Sequence, residues 1–398
     1  MFSRFIPRVA LLLLALLPGV FPHALAQSRS SVQWKLQYFY DEIATELQIT
    51  SLAFPSATHG VAVGAILDRK AARKPRYTAL VSSDGGEHWA LVPLQDAPRS
   101  LFFLNEANGW MVTRDAFWFT ADTGRTWMRL TNQIKPNKKL DDAPEGGLIL
   151  RVAFLDPRHG FAVGLQKSVY ETTDGGRTWT RVAEAAKPSS NPAYTSYTDV
   201  AFTGGGRGLV VGGYSPPRRD GGQDLPGWID PERTLSRRQV PTLTIELETR
   251  DGGANWSSST APLLGSLIGF SLKGTNGLGV FGYADSFMWP SEVYRFNLLT
   301  GKSESVFKQK DRRVTDVAVY SDGSGFLAAV EPPGRLASAP VPGKVRMLSS
   351  DDLSNWEEMN VDYRAVASYV TLAGPDRDHV WAATDTGMIL QLATRPAK

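Results

Sequence analysis

The sequence predicts an all-β fold, a seven-bladed β-propeller, from three observations. An octet recurs in which Ser or Thr lies two positions before an Asp and Trp lies five positions after it. An apolar pair, a polar turn ending in Gly and a short apolar strand precede the octets. The copies repeat on a scale of about 40 to 50 residues, which is typical of repeat architectures.

Each octet is predicted to be the hairpin turn between the third and fourth strands of a blade. The copies read SSDGGEHW, TADTGRTW, TTDGGRTW, TRDGGANW and SSDDLSNW. Asp accepts backbone N–H bonds within a turn, and Gly tolerates positive φ. The Trp opens the next strand and packs on the neighbouring blade. The predicted structural residues are Asp84, Trp89, Asp122, Trp127, Asp174, Trp179, Asp251, Trp256, Asp351 and Trp356.

The number of copies of the upstream element gives the predicted number of blades. It reads VAFLDPRHGFAVG in its clearest copy, and its copies begin at Leu52, Leu101, Val152, Val200, Gly269, Val317 and near Val370. We assign strand a to the Val-Ala-Phe element, strand b to Gly-x-x-Val-Gly, strand c to the run before Asp and strand d to the run from Trp. The sum is seven units.

The last unit lacks a fourth strand, since its strand c ends near Leu392 shortly before the chain does. The segment SVQWKLQYFY supplies a spare strand, with Trp34 where a strand d carries its Trp. We therefore predict that this N-terminal strand closes the ring, which removes exposed sheet edges. Residues 27–398 then form a single propeller domain.

Residues 1–26 have the pattern of a secretory signal peptide. Arg4 and Arg8 precede an apolar run from Val9 to Val20, and Ala24-Leu25-Ala26 is a small-residue cleavage site. We expect an exported protein, periplasmic or secreted. The chain has no Cys, which excludes disulfides, thiolate metal sites, a cysteine nucleophile and a lipoprotein anchor. The chain has 43 Lys and Arg and 40 Asp and Glu. This near balance does not indicate binding to nucleic acid or to a membrane.

Insertions concentrate on one predicted face. In a propeller the b-to-c and d-to-a connections lie on one face, called here the elaborated face, and the a-to-b and c-to-d turns lie on the other, the plain face. The predicted insertions are Ala65 to Tyr77, Thr131 to Gly147, Ala183 to Thr198, Gly213 to Pro241, Tyr283 to Ser291 and Glu331 to Lys344. All belong to the first class.

These insertions are rich in cations and aromatic residues, which are typical contact anchors. We predict that they bind an acidic or amphipathic protein partner. The predicted contact residues are Arg73, Lys74, Arg76, Lys138, Lys139, Tyr214, Arg218, Arg219, Trp228, Arg237, Arg238 and Trp289. The alternative is that the long loops are simply solvated, because loops tolerate insertion.

The octets resemble the Asp-box, or bacterial neuraminidase repeat. The longer unit, best seen in VAFLDPRHGFAVGLQKSVYETTDGGRTWTRV, resembles the photosystem II stability and assembly factor family, whose fold is a WD40/YVTN-like propeller. The resemblance covers residues 31–398. It implies a non-enzymatic factor that assists assembly of a membrane complex in photosynthesis. The chain departs from the family by lacking a lipoprotein Cys and by the insertion from Gly213 to Pro241.

Other Asp-box proteins are glycosidases, so a sialidase-like or glycan-binding propeller is the alternative function. A sialidase-like site needs three Arg, a Tyr activated by Glu, and an Asp on the elaborated face. The one Arg-x-Ile-Pro match, Arg4 to Pro7, lies in the signal peptide. Glu246 and Glu248 share a strand face, where pairing with Arg is the expected role.

Neither a metal nor a cofactor is predicted, and the protein is expected to be a monomer. His59, His159 and His379 occupy the same repeat position in three different blades, which separates them in space. His88 lies inside an octet, and His23 lies in the signal peptide. These residues are therefore interpreted as turn residues.

Overall fold

The computed structural model describes residues 32–69, 74–130, 134, 148–216, 242–261, 265–283, 289–332 and 342–394. Within them the chain forms 29 strands and three short 3₁₀ turns, at Ala183–Ala186, Pro192–Tyr194 and Gly204–Gly206. None of the helical segments in this part of the chain has the length and apolarity that a membrane crossing requires.

The described strands form seven blades of four strands each, as the repeats predict. The first strand of the chain is β1 (Val32–Phe39), and blades 1 to 3 follow it: β2 (Thr45–Ala53), β3 (Gly60–Asp68), β4 (Arg76–Ser82) and β5 (Ala90–Leu94) in blade 1; β6 (Pro98–Phe103), β7 (Gly109–Thr113), β8 (Phe117–Thr120) and β9 (Met128–Leu130) in blade 2; β10 (Ile149–Phe154), β11 (Gly160–Gly164), β12 (Ser168–Thr172) and β13 (Thr180–Arg181) in blade 3. Blades 4 to 6 contain β14 (Thr195–Phe202), β15 (Gly208–Tyr214), β16 (Leu243–Thr249) and β17 (Ser257–Ala261) in blade 4; β18 (Ser266–Lys273), β19 (Asn276–Gly282), β20 (Ser291–Asn297) and β21 (Lys302–Lys308) in blade 5; β22 (Arg313–Val319), β23 (Gly325–Val330), β24 (Gly343–Ser350) and β25 (Glu357–Val361) in blade 6, where the short β26 (Val366–Ala367) pairs with β24. Blade 7 is made of β27 (Val370–Asp376), β28 (His379–Thr384), β29 (Met388–Thr394) and β1.

The N-terminal strand closes the ring, and this prediction is confirmed. β1 runs antiparallel to β29, with Trp34 opposite Leu392. It also pairs in parallel with β25, where Trp34 faces Val361, so that blades 6 and 7 share one sheet. The sequence did not predict this second pairing. Trp34 is 1% exposed, and its ring meets the edge of Phe326 in blade 6 at 5.9 Å.

Close approach of strands a and b explains the repeated Gly-x-x-Val-Gly element. A Cβ on Gly160, which begins β11, would lie 2.4 Å from Cδ1 of Phe154 in β10. A Cβ on Gly164, which ends β11, would lie 2.1 Å from the carbonyl oxygen of Leu148. Any side chain at either position would therefore displace a ring or the backbone of strand a.

The Trp of each octet joins neighbouring blades. It lies immediately before strand d instead of beginning it, as at Trp179 before β13 and Trp256 before β17. The Trp179 ring lies 4.9 Å from Phe117 of blade 2, and the Trp256 ring lies 5.4 Å from Phe161 of blade 3. These contacts bury large apolar area between blades.

Several of the predicted loop insertions are shorter in the structure. β3 continues to Asp68 and β4 already begins at Arg76, because Ile66 packs in the same buried cluster as Leu47. Thr195 to Thr198 belong to β14, and the preceding segment folds into two 3₁₀ turns. Much of the other insertions, including 135–147, 217–241, 284–288 and 333–341, lies outside the described residues.

Candidate functional site

The octet carboxylates accept their hydrogen bonds from groups of their own turns, which lie on the plain face. The Thr172 hydroxyl donates to Oδ1 of Asp174 at 2.8 Å. The backbone N–H groups of Arg177 and Thr178 donate to the same oxygen at 3.0 and 2.9 Å, and the Thr178 hydroxyl donates to Oδ2 at 2.6 Å. Asp84, Asp122 and Asp251 repeat this pattern.

These hydrogen bonds stabilise the ionised form of the octet carboxylates. Burial raises the pKa of Asp174, but the bonds from Thr178 and Thr172 outweigh burial and lower that pKa to about 2. Asn255 lowers the pKa of Asp251 to about 2 through its side-chain and backbone N–H groups. A carboxylate held in this way is a structural acceptor and a poor proton donor or acceptor near neutral pH.

The structure corrects the fifth octet, where Asp352 and not Asp351 makes the turn. Ser350 faces Gly325 across β23 and β24, just as Thr172 faces Gly160 in blade 3. The Ser350 hydroxyl therefore donates to Asp352, at 3.0 Å, and Ser354 and Asn355 donate to the same carboxylate. This turn is one residue shorter, with Leu353 at a φ of 60°, and Asp351 instead forms an ion pair with Arg377 of blade 7.

The three repeat-position histidines each have a local partner on the plain face. His159 lies 2.8 Å from Glu171, His379 lies 2.9 Å from Asp376, and His59 lies 3.0 Å from the Thr58 hydroxyl. Among the described residues one group of three potential metal ligands occurs, made of Asp84, Glu87 and His88. All three are exposed and belong to one turn, so they carry no argument for a metal site.

Most of the predicted contact residues lie outside the described part of the chain. These are Arg73, Lys138, Lys139, Arg218, Arg219, Trp228, Arg237 and Arg238. Lys74 and Arg76 are described, and both are exposed on the elaborated face. They line a depression of about 500 Å³ together with Pro93 and Leu94. No ion pair joins Lys74 or Arg76 to a described residue, so their charges face solvent.

The predicted aromatic anchors are largely used inside the fold. Tyr214 ends β15 and packs against the buried cluster of blades 3 and 4. Trp289 lies under the ammonium of Lys308, which is 4.8 Å from the ring centroid. Tyr197 is fully buried, and its hydroxyl donates to the Ala185 carbonyl at 2.9 Å. Tyr197, which also falls in a predicted insertion, is therefore a core residue.

The structure exposes other apolar residues on the elaborated face. Ile43 is 96% exposed in the connection from β1 to β2, and Tyr363 is 81% exposed after β25. Tyr194, Tyr369 and Phe39 are partly exposed in connections of the same d-to-a class or at their edge. Tyr363 and Tyr369 lie in the connection from blade 6 to blade 7, and Ile43 lies in the connection from blade 7 to blade 1. The sequence signal was a single apolar residue within a short polar connection, which is too weak to have singled them out.

Two groups bear on the glycosidase alternative. The Tyr283 hydroxyl donates to Glu292 at 2.9 Å on blade 5, and Ser305 and Lys308 also bind that carboxylate. Burial, together with the hydrogen bond to Glu292, raises the pKa of Tyr283, so the phenol is protonated near neutral pH. Glu248 pairs with Arg250 at 3.0 Å, as a structural carboxylate does.

Comparison with known proteins gives one family. The family described as photosynthesis system II assembly factor YCF48 matches residues 140–217, which include blade 3. The photosystem II assembly lipoprotein Ycf48 of Synechococcus sp. (strain CC9902) is 25% identical over 256 residues, which cover 61% of this chain and 71% of that protein.

Solved structures agree on the fold. YCF48 bound to a D1 peptide superposes with a TM-score of 0.55 at 15% identity, covering 91% of this chain and 97% of that one. An ancestral GH74 enzyme superposes with a TM-score of 0.53 at 12% identity, covering 89% of this chain and 46% of that one. At such low sequence identities both superpositions show the propeller fold alone. Whether the protein is a binding protein or an enzyme must therefore be argued from the residues of its candidate site.

Proposed function

We propose that this distant homologue of the photosystem II assembly factor YCF48 is an exported, non-enzymatic binding protein that holds a segment of a membrane-complex protein on its elaborated face. The relatives are assembly lipoproteins, and one structural neighbour is bound to a D1 peptide. Export of this chain would use the predicted signal peptide at residues 1–26, leaving residues 27–398 as the propeller.

The observation that carries this proposal is the contrast between the two faces. On the plain face the octet carboxylates are fully bonded within their turns. On the elaborated face Ile43 and Tyr363 expose most of their apolar surface, while Lys74 and Arg76 present charges without partners among the described residues. Apolar anchors surrounded by charge are the usual composition of a protein-binding surface.

A retention experiment tests the surface directly. The purified propeller is immobilised and exposed to detergent-solubilised membranes of the native organism. We expect a defined membrane complex to be retained, and retention to fall about tenfold when Ile43→Ser and Tyr363→Ser are combined, since anchors of this kind contribute one to a few kcal/mol. Leu299→Ser is the matched control, because Leu299 is 67% exposed in a c-to-d turn on the plain face.

The charge contribution is tested separately. Reversing Lys74 and Arg76 to Glu should slow association and reduce its dependence on salt, because rim charges act mainly through long-range attraction. Lys302→Glu on the plain face is the control. Equal retention by all of these variants, or hydrolysis of a sialoside or β-glucan by the wild type, would contradict the proposal.

A further inference from the structure

Blade 5 has no octet, and a different turn joins its third and fourth strands on the plain face. β20 and β21 stay paired up to Asn297 and Lys302, and the four residues between them form the turn. Oδ1 of Asn297 accepts hydrogen bonds from the backbone N–H groups of Leu299 and Thr300, both at 3.0 Å. Nδ2 of Asn297 donates to Oδ1 of Asn276, at the start of β19, at 2.7 Å. The Asn297 side chain therefore fixes this turn.

A groove separates this turn from the octet turn of blade 6. Its volume is about 770 Å³, which lies within the range of about 300 to 1,000 Å³ that is usual for small-molecule sites. On blade 6 its polar side chains are those of Asp351 and Asp352. On blade 5 they include those of Asn276, Arg295, Thr300, Lys302, Ser303 and Glu304.

Arg295 connects the two sides of the groove. Its Nη1 donates to the backbone carbonyl oxygen of Asp352 in blade 6 at 3.0 Å. Its Nη2 forms an ion pair with Glu304, which lies opposite Arg295 in the pairing of β20 with β21. These bonds hold the two walls together, so the groove is already formed in the folded protein.

The charges at the groove are balanced. Arg295 is compensated by Glu304, and Asp351 forms an ion pair with Arg377 of blade 7. Three cations and three carboxylates meet in or beside the groove, namely Arg295, Lys302 and Arg377 with Glu304, Asp351 and Asp352. A phosphate group or a metal ion would add charge that this lining does not compensate. A ligand without net charge is therefore favoured.

The apolar side chains of the lining are used in the core. Leu353 is 2% exposed and packs in the buried cluster of blades 5 and 6. The Phe296 ring stacks on Phe270 at 5.7 Å, in the cluster between blades 4 and 5. Leu299 is exposed in the same turn but does not line the groove. Because protein interfaces are centred on apolar or aromatic anchors, this lining does not favour a protein segment.

Several polar groups of the groove have no hydrogen-bond partner in the described part of the chain. The donors of this kind are the Lys302 ammonium, the Ser303 hydroxyl and the Asn276 amide nitrogen. The carboxylates of Glu304 and Asp351 add acceptors on both walls. A hydroxyl group both donates and accepts, so a ligand with several hydroxyls can bond to both sets.

We propose that the groove between blades 5 and 6 binds a neutral saccharide. A sugar chain carries many hydroxyl groups and no net charge, which matches the balanced charge and the mixed donors and acceptors of the lining. The groove lies on the plain face, so the saccharide and the proposed partner segment occupy different surfaces. Export, as predicted from residues 1–26, would bring the groove to the saccharides of the cell envelope.

Calorimetric titration of the purified protein with cellotriose, maltotriose and triacetylchitotriose tests the site. We expect saturable binding of at least one of these neutral trisaccharides. Lys302→Ala should weaken it about tenfold, because a charged donor without a partner in the fold is lost. Lys273→Ala is the matched control, since Lys273 is exposed at the end of β18 in the same blade and does not line the groove. This variant should bind like the wild type.

Ser303→Trp tests the location of the site, because the larger side chain would fill the groove and abolish binding. Lys302 and Ser303 are both exposed in β21, so the melting temperatures of both variants should stay close to that of the wild type. Retention of the membrane complex should also be unchanged, which separates this site from the elaborated face. Binding that is unaltered in both variants, no saturable binding of any of the three trisaccharides, or binding of trigalacturonate alone would overturn the proposal.

Discussion

The indole N–H of Trp381 in blade 7 donates to the carbonyl oxygen of Gly85 in the octet turn of blade 1, at 3.1 Å. The Trp381 ring also stacks on Phe54 of blade 1 at 3.7 Å. Trp110 makes the same two contacts inside the ring, to Gly175 at 3.0 Å and to Phe154 at 3.8 Å. The junction between the last and first blades is therefore built like an internal blade interface.

Replacing Trp381 with Phe should lower the free energy of unfolding by about 1 to 3 kcal/mol, because it removes a buried donor and part of a stacked ring. Urea denaturation followed by fluorescence measures this loss. Trp110→Phe should cost a similar amount. A much larger loss for Trp381→Phe would indicate that the closing junction differs from the internal one.

The two aspartates of the fifth octet should behave differently on substitution. Asp352→Ala removes the acceptor for Ser350, Ser354 and Asn355 and should lower the melting temperature clearly, because three donors of the turn lose their partner. Asp351→Ala removes an exposed ion pair with Arg377 and should cost less than about 1 kcal/mol. Thermal unfolding of both variants decides between the two assignments, and the reverse order would restore Asp351 as the turn residue.

Asp174→Ala should destabilise the protein without weakening partner retention. Its carboxylate holds four hydrogen bonds in a plain-face turn, far from the proposed partner surface. Melting temperature and retention are measured on the same preparation. Loss of retention at an unchanged melting temperature would be incompatible with a purely structural role.

Asp199 should make stability depend on pH in the mildly acidic range. Its pKa in the folded protein is about 6, above the ordinary value near 4 of an unfolded chain, so its contribution to stability is full below about pH 4 and is lost as the pH rises to 6. Arg151, Asp316 and Tyr369 are the charged and titratable groups that interact with it. Urea midpoints between pH 4 and 7 should fall more steeply with rising pH in the wild type than in Asp199→Asn.

Lys167 should anchor the segment that follows β13. Its side chain is buried and donates to the carbonyl oxygens of Pro188 and Ala186 at 2.5 and 3.4 Å. Lys167→Met removes both bonds, so amide exchange at Ala185 and Tyr194 should accelerate about tenfold or more through local opening. Lys187→Met is the control, since Lys187 is mostly exposed, and equal acceleration in both variants would argue against an anchor.

The number of blades, the position of the turns and the closing strand could be predicted from the sequence alone. These features depend on local chemistry. Asp and Gly specify a turn whose hydrogen-bond partners lie within five residues, as at Asp174. Gly160 is required because one adjacent strand packs too closely for a side chain. The closing strand could be recognised because Trp34 stands where a strand d has its Trp. Each signal can be recognised without knowing where the rest of the chain lies.

Contacts between distant residues could not be predicted from the sequence, because they depend on how strands and blades are placed in the folded protein. Asp352 and not Asp351 makes the turn because cross-strand register places Ser350 opposite Gly325, and the Ser350 hydroxyl donates to the Asp two positions after it. Asp199 and Asp316 lie 117 positions apart in the sequence and belong to blades 4 and 6, so no local pattern relates them. Closure of the ring brings them into one channel, since it places the same position of every innermost strand around a single axis.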